Sequence, residues 1–540
     1  MRVLTAEAMR GVDERAIHQL GLPSLVLMEN AAIGVVEALG DRFPRAERVA
    51  IFCGPGNNGG DGLAVARHLV VRGYRPAVWL LHAGRRLSPD AASQLDICRG
   101  LGMEIAEIAG EAELPAALLE ATGADLVVDA LFGTGFGTNP ARPLEGLFAA
   151  AVDGLAALRD VHRPVLAVDL PSGLDASSHR LPGPHVRADL TVTFAALKVA
   201  HVLPPASLAC GIVAVADLGL PASFLDEAPG DLHLLVAEEI GALLRPRGAS
   251  AHKGSFGHVL LVAGSPGKSG AAVLAARAAV HAGAGLVTVG VPSPLLPIVA
   301  AGSVESMTLA LAADEEGRLR PAAVEELLER AAGRSALAVG PGLGTGGETP
   351  EAVRRLVRES ALPLVLDADG LNAFAGRPEE LRRPAPTVLT PHPGELARLL
   401  GTTAAEVNDD RLAAVREAAR VTGAVVLLKG QLSLVATPAR ADGPDGPQGA
   451  VAINPTGNAG MASGGSGDVL TGVVAALLGQ GLPAWDAACL GAYVHGLAGD
   501  LLARERGPEA IAAGDLADAL PDALAQLRKA GGGHGGAGVP

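Results

Sequence analysis

Three groups of oxygen-bearing side chains in the first half of the chain have the chemistry of a site. Asn57, Asn58 and Asp61 fall in GPGNNGGDG (54–62), Asp129 in VVDALFGTG (127–135), and Asp169 and Ser172 in VDLPSGLD (168–175). An amide oxygen, a carboxylate and a hydroxyl are hard donors that suit an alkali or alkaline-earth cation, not zinc. One carboxylate can act as acid and base in turn, which makes Asp169 the candidate proton carrier. The second half carries a different device. Gly464, Gly465, Ser466 and Gly467 lead into Asp468 and an apolar run. Free backbone N–H groups at such a glycine-rich helix start, with the helix dipole, form an anion hole for phosphate. Asp468, in the first turn, reads equally as an acid that balances the helix dipole and as a base that takes a proton from a hydroxyl attacking phosphorus.

These residues need elements to hold them. Apolar runs at 48–53, 76–81, 125–130, 164–169, 190–194 and 212–215 alternate with amphipathic stretches. That rhythm predicts a parallel sheet covered on both faces, an α/β fold. Ligands of such sheets bind beyond the carboxyl ends of the strands, where all three groups fall. Taken singly, each acid is as well read as a loop or N-cap residue; together they point to a site. The same rhythm returns at 258–263, 286–291, 336–339, 364–367, 388–390 and 424–428. Two further strands, 432–436 and 450–453, flank ADGPDGPQG, a turn-rich hairpin tip. Further candidates close the strands of this half: Gly340 to Gly344, Asp367 to Asn372, Thr390 to Glu395 with His392, and Lys429 with Gly430. The expected division is 1–220, a linker at 221–250, 251–528, and a flexible tail at 529–540.

Two motifs fail on inspection. Gly54, Gly56 and Gly59 match the dinucleotide fingerprint, but the next strand ends in Leu80, Leu81 and His82 where an acid belongs. Arg85 and Arg86 follow it and read as a solvated loop. Around Lys268 a phosphate-binding loop of the Walker type would need glycine at 262, which is Val262.

Composition narrows the classes. The chain has 540 residues, 49% hydrophobic and 19% charged, so it buries enough to fold as two or three domains. A net charge of −15 argues against nucleic acid or an anionic membrane as partner. Cys53, Cys98, Cys210 and Cys489 form no CxxC pair, as expected for buried thiols in a reducing compartment. The uncharged run 282–304 contains Pro292, Pro294 and Pro297, so it reads as a strand and a loop rather than a membrane span. The N-terminus shows no apolar leader, and a cytoplasmic location is expected. Lysine is scarce, at 198, 253, 268, 429 and 529 among 43 basic residues, so each is worth checking for a specific role.

The motifs GPGNNGGDG, VVDALFGTG and VDLPSGLD, with MEN (28–30), resemble the epimerase domain of the bifunctional NAD(P)H-hydrate repair enzymes over residues 1–220. HKGSFGHVLLVAGS (252–265), GPGLG, DADGLN, TPHPGE and GGSGD resemble their C-terminal ADP- or ATP-dependent dehydratase over 240–525. The resemblance implies a Rossmann-like parallel sheet domain followed by a ribokinase-like one. It implies that Asn57, Asn58, Gly59, Gly60 and Asp61 hold the hydrated nucleotide of the epimerase. Gly133, Thr134, Gly135, Phe136, Gly137, Thr138 and Asn139 form a second loop on it, and Asp169 stands at the reacting ring. Potassium is implied at Asn58, Asp129 and Ser172. In the dehydratase, Ala271, Gly342, His392 and Asp468 match contacts to the hydrate. Lys429, Gly430, Gln431, Leu432, Ser433 and Gly467 match contacts to ADP or ATP, with magnesium expected for phosphoryl transfer. Ser466 stands where the family usually has threonine, and KGQLS (429–433) is looser than the family form. Small-molecule nucleotides (NADHX, NADPHX, ADP or ATP) are the implied partners, and a homo-oligomer the implied assembly. The alternative is a small-alcohol kinase of the ribokinase class fused to a non-catalytic nucleotide-binding module.

Overall fold

The computed structural model describes residues 1–136, 144–439 and 449–531. Gly137, Thr138 and Asn139, most of the hairpin tip and residues 532–540 lie outside them. The chain divides into two compact units, Arg2–Gly230 and Asp231 onward, the latter taking in Met1.

The first unit contains β1 (Arg2–Leu4), β2 (Arg48–Cys53), β3 (Arg75–Leu81), β4 (Ile105–Ile108), β5 (Leu126–Ala130), β6 (Val165–Val168), β7 (Leu190–Phe194), β8 (Leu197–Lys198) and β9 (Ile212–Ala216). Seven of these form a parallel sheet in the order β4-β3-β2-β5-β6-β7-β9. Strand order reverses between β2 and β5, and Gly54 N donates to Ala130 O at 3.0 Å just beyond their ends. The crevice of a doubly wound sheet opens at that reversal. β2, β5 and β6 are mostly apolar because both faces are covered, and β7 buries Thr191 and Thr193 among its apolar residues. One face packs under α1 (Ala6–Gln19), α2 (Ser24–Arg42) and α3 (Asn57–Val71), whose Val12, Val35, Leu39, Leu63 and Leu69 are buried. The other meets a cluster that includes Phe52, Trp79, Phe148 and Leu155.

The second unit contains β10 (Leu232–Leu234), β11 (His258–Val262), β12 (Leu286–Pro292), β13 (Met307–Leu311), β14 (Ala336–Val339), β15 (Leu364–Leu366), β16 (Thr387–Leu389), β17 (Val425–Leu428), β18 (Leu434–Ala436) and β19 (Val451–Ile453). Their order is β13-β12-β11-β14-β15-β16-β17-β18-β19-β10. The pairs are parallel except β17–β18 and β18–β19, so 434–436 and 451–453 form the expected hairpin. Here order reverses between β11 and β14, and Gly264 N donates to Pro341 O at 2.8 Å there. Helices Ser269–His281 and Ser466–Gly479 cover one face with a core of small side chains, Ala272, Ala275, Ala276, Ala475 and Ala476 among them.

Two local expectations change. The stretch read as a loop after β12 forms a helix, Leu296–Gly302, because Pro297 falls in its first turn, where the missing N–H costs no bond. Within 221–250, Ala222–Asp226 and Ala237–Gly241 are helical, and β10 pairs with β19. Among the described residues no helix is long and apolar enough to cross a membrane. The four cysteines are free and buried.

Candidate active sites

In the first unit a cavity of about 620 Å³ opens at the β2/β5 reversal. Asn57, Asn58, Asp61, Gly133, Thr134, Gly135, Phe136 and Asp169 all line it. Gly59 and Gly60 lie behind this lining and serve packing: a Cβ on Gly59 would come within 1.8 Å of Gly54 O, and one on Gly60 within 2.6 Å of Met28 Cε. Glycine here lets α3 start directly against the end of β2. Arg85, read as solvated, lines the cavity and lies over the Phe148 ring at 4.8 Å.

Asp169 follows β6 in the left-handed region, with φ 65°, a conformation a non-glycine residue keeps only when its surroundings hold it. Its N–H donates to Val192 O at 2.8 Å, and its carbonyl lies 2.9 Å from His201 Nε2. Oδ2 accepts from Thr134 N at 2.9 Å. Oδ1 accepts from Thr193 Oγ1 and from Lys198 Nζ, both at 3.0 Å. Burial raises this carboxyl, but the Lys198 ammonium, His201 and the hydrogen bonds from Lys198 and Thr134 together hold Asp169 below its usual range. At the neighbouring groups burial prevails. It pushes Asp61 well up, aided by the charge of Asp169, and pushes Asp13 up to about 6 and the His201 imidazole down to about 4.

Asp129 and Ser172 sit behind the cavity wall. Asp129 accepts from Ser172 N at 2.8 Å, Ser172 Oγ at 2.6 Å and Leu131 N at 3.2 Å. Burial raises its carboxyl to about 6. Ser172 Oγ also accepts from Phe132 N at 3.0 Å, tying the pair to the 133–136 loop. The Asn58 side chain has both polar atoms buried with no hydrogen-bond partner. An unsatisfied buried oxygen costs about 1–3 kcal/mol, and a hard cation is the kind of group that removes the cost.

In the second unit the strand ends bring four acids and two lysines together. Asp367, after β15, accepts from Lys429 Nζ at 2.8 Å and from Thr471 Oγ1 at 2.7 Å. Lys429 Nζ also lies 3.7 Å from Glu395 Oε2. A Cβ on Gly467 would come within 3.2 Å of the same ammonium, which therefore stands at the start of helix Ser466–Gly479. Burial would lower Lys429, but Asp367 and Glu395 hold it above its usual range and keep it charged. Asp468 is raised to about 6 by burial and by the charge of Asp367. Gly465 takes φ 94°, the left-handed turn that starts the helix. Gly342 lies against Ala271, whose Cβ a side chain at 342 would approach to 2.8 Å. Lys268 pairs with Asp369 at 3.0 Å. His392 caps the helix Pro393–Leu400, its N–H donating to Glu395 at 2.8 Å, with half of its side chain exposed. Lys429 to Ser433 form a loop pinned by Arg411, which donates to the carbonyls of Gln431 and of Lys429, the latter at 3.3 Å. Among the described residues no three His, Cys, Asp or Glu side chains form a metal cluster.

The sequence profile described as YjeF-related protein N-terminus matches residues 24–200, and that described as NAD(P)H-hydrate dehydratase matches 259–522. The bifunctional NAD(P)H-hydrate repair enzyme Nnr of Moorella thermoacetica is 46% identical over 98% of each chain. The Escherichia coli enzyme of the same name is 35% identical over 95% of this chain and 92% of that one. The chain belongs to the bifunctional NAD(P)H-hydrate repair enzymes. A solved ADP/ATP-dependent NAD(P)H-hydrate dehydratase from Bacillus subtilis, co-crystallized with ATP/Mg2+, is 30% identical. It aligns with 55% of this chain and 98% of its own, at a TM-score of 0.46. Within the repair-enzyme family frame, the first match encloses Asn57 to Asp61, Asp129, Asp169 and Ser172, and the second encloses Ala271, Gly342, His392, Lys429 and Asp468.

Sequence reasoning left Asp13, Thr193, Lys198 and His201 out of the first site, and Thr471 out of the second. The scarcity of lysine was the signal for Lys198. Asp13 and Thr471 sit inside ordinary helices and carry no motif.

Proposed function

We propose that this chain repairs hydrated NADH and NADPH in two steps. The first unit interconverts the R and S epimers of the hydrate, and the second dehydrates the S epimer at the expense of ADP or ATP. The carrying observation is the buried Asp169, hydrogen-bonded to Lys198, in the lining of a cavity that Asn57, Asn58 and Asp61 of α3 and the Gly133–Phe136 loop share. Asp169 Oδ2 would take the C6 hydroxyl proton as the C6–N1 bond breaks and an open-chain aldehyde forms, and return it when N1 adds to the other face of that carbonyl. Potassium fits Asn58 Oδ1 with Asp129 and Ser172, where it would supply fixed positive charge and order the loops.

In the second unit Asp468 would accept the hydroxyl proton as the oxygen attacks the terminal phosphorus. Lys429 and the N–H groups of 464–467 would stabilise the phosphoryl charge. The C6–O bond of the phosphorylated intermediate then breaks, phosphate leaves with the electron pair, and loss of a ring proton at C5 restores the dihydronicotinamide. Asp367 is already engaged by Lys429 and Thr471, which supports magnesium arriving on the nucleotide phosphates with at most one or two carboxylates. His392, Gly342 and Ala271 would hold the hydrate, and Lys429 to Ser433 with Gly467 the adenine nucleotide. We place the enzyme in the cytoplasm, which four buried free thiols support, and as a homo-oligomer, as the family resemblance implies.

The test is recovery of dihydronicotinamide absorbance from mixed R and S hydrates with potassium, magnesium and either nucleotide. Complete recovery is expected, with Asp169→Ala stopping once the S form is spent. No recovery with either nucleotide would reject the reading.

A further inference from the structure

Lys198 is buried, at 1% exposure, on the inner side of the first cavity. Its ammonium has three hydrogens and three acceptors: Asp169 Oδ1 at 3.0 Å, Thr193 Oγ1 at 2.7 Å and Phe194 O at 3.1 Å. A fully engaged ammonium has no donor left for a ligand, so any effect on the reaction passes through Asp169. The two oxygens of Asp169 have different surroundings. Oδ1 faces Lys198 and Thr193. Oδ2 faces the loops: it accepts from Thr134 N, and a Cβ on Gly133 would come within 2.6 Å of it and 2.8 Å of Asn58 Oδ1.

We propose that Lys198 is the positioning residue of the epimerisation: with Thr193 it fixes Oδ1 of Asp169 by hydrogen bonds, so that Oδ2 is the oxygen that exchanges the proton with the substrate. The inference rests on the epimerase reading of this cavity. The other titratable groups that face the pair are Asp13 from α1, Asp61 from α3 and His201 beyond β8. Burial favours the neutral form of each, which leaves Lys198 as the standing positive charge beside Asp169.

The experiment measures epimerisation by the full chain with Lys198→Met, Thr193→Val and Asp169→Asn. For Lys198→Met, kcat should fall about 100-fold with KM little changed. The acid limb of its pH profile should move up by about one to three pH units, because burial then acts on Asp169 without the ammonium that opposes it. Thr193→Val should lose about tenfold with a shift in the same direction, and it decides the matter if Lys198→Met fails to fold. In Lys198→Ala, methylammonium should restore part of the rate. A fall in kcat with an unmoved pH profile and no amine rescue would make Lys198 a structural residue and overturn the proposal. Retained epimerisation in Asp169→Asn would instead overturn the reading of the cavity itself, whatever Lys198 does.

Discussion

Two acids given parallel roles have opposite electrostatics. Asp169, with Lys198 hydrogen-bonded to it, is held below the usual carboxyl range, whereas burial and the charge of Asp367 raise Asp468 to about 6 despite Lys429. If Asp468 works ionised, dehydration of the S hydrate falls as pH drops through about 6, with kcat/KM following one ionisation. Asp468→Asn should cost about 10²–10⁴-fold in dehydration and leave epimerisation intact; equal loss of both activities would contradict the assignment. His495, beside Ser466, tests linkage at the same scale. Burial lowers its imidazole from 6.5 to about 4, so the folded state prefers it neutral. Its contribution to stability is full above 6.5 and is lost as pH falls toward 4. Relative to His495→Gln, the parent chain should therefore lose thermal midpoint between those limits, and parallel melting curves would refute this.

At the scale of elements, the sites depend on helices that start hard against strand ends. A Cβ on Gly59 would sit 1.8 Å from a backbone oxygen, so Gly59→Ala must displace α3 from β2. We expect about 1–3 kcal/mol of destabilisation and loss of epimerisation. Gly56→Ala meets nothing within 4 Å and should cost less than about 1 kcal/mol. Thermal unfolding of both variants checks the contrast, and equal costs would mean that the close approach does not constrain the turn. The strands that hold the acids were legible because a strand covered on both faces is mostly apolar, as Val49–Cys53 of β2 and Leu126–Val128 of β5 are. Helices α1 and α2 and strand β13 were not singled out. Mixed polar and small residues weaken their pattern, and contact with the sheet settles them.

At the scale of the whole molecule, the two reactions share one intermediate, the S hydrate, and we expect it to diffuse between chains. Asp169→Asn and Asp468→Asn chains, each unable to repair an R hydrate, should together restore complete recovery when mixed. Failure of the mixture to exceed its components would mean that the hydrate passes only within one chain. The α/β class, the crowding of acids at strand ends and the glycine-rich helix start were determined by the sequence alone, because periodicity and backbone conformation are local properties. Partnership was decided by tertiary structure. Nothing in the spacing of Asp169 and Lys198, or of Asp367 and Thr471, reveals that they touch. Those contacts arise where an acid at one strand's end meets a side chain from another strand or from a helix distant in sequence.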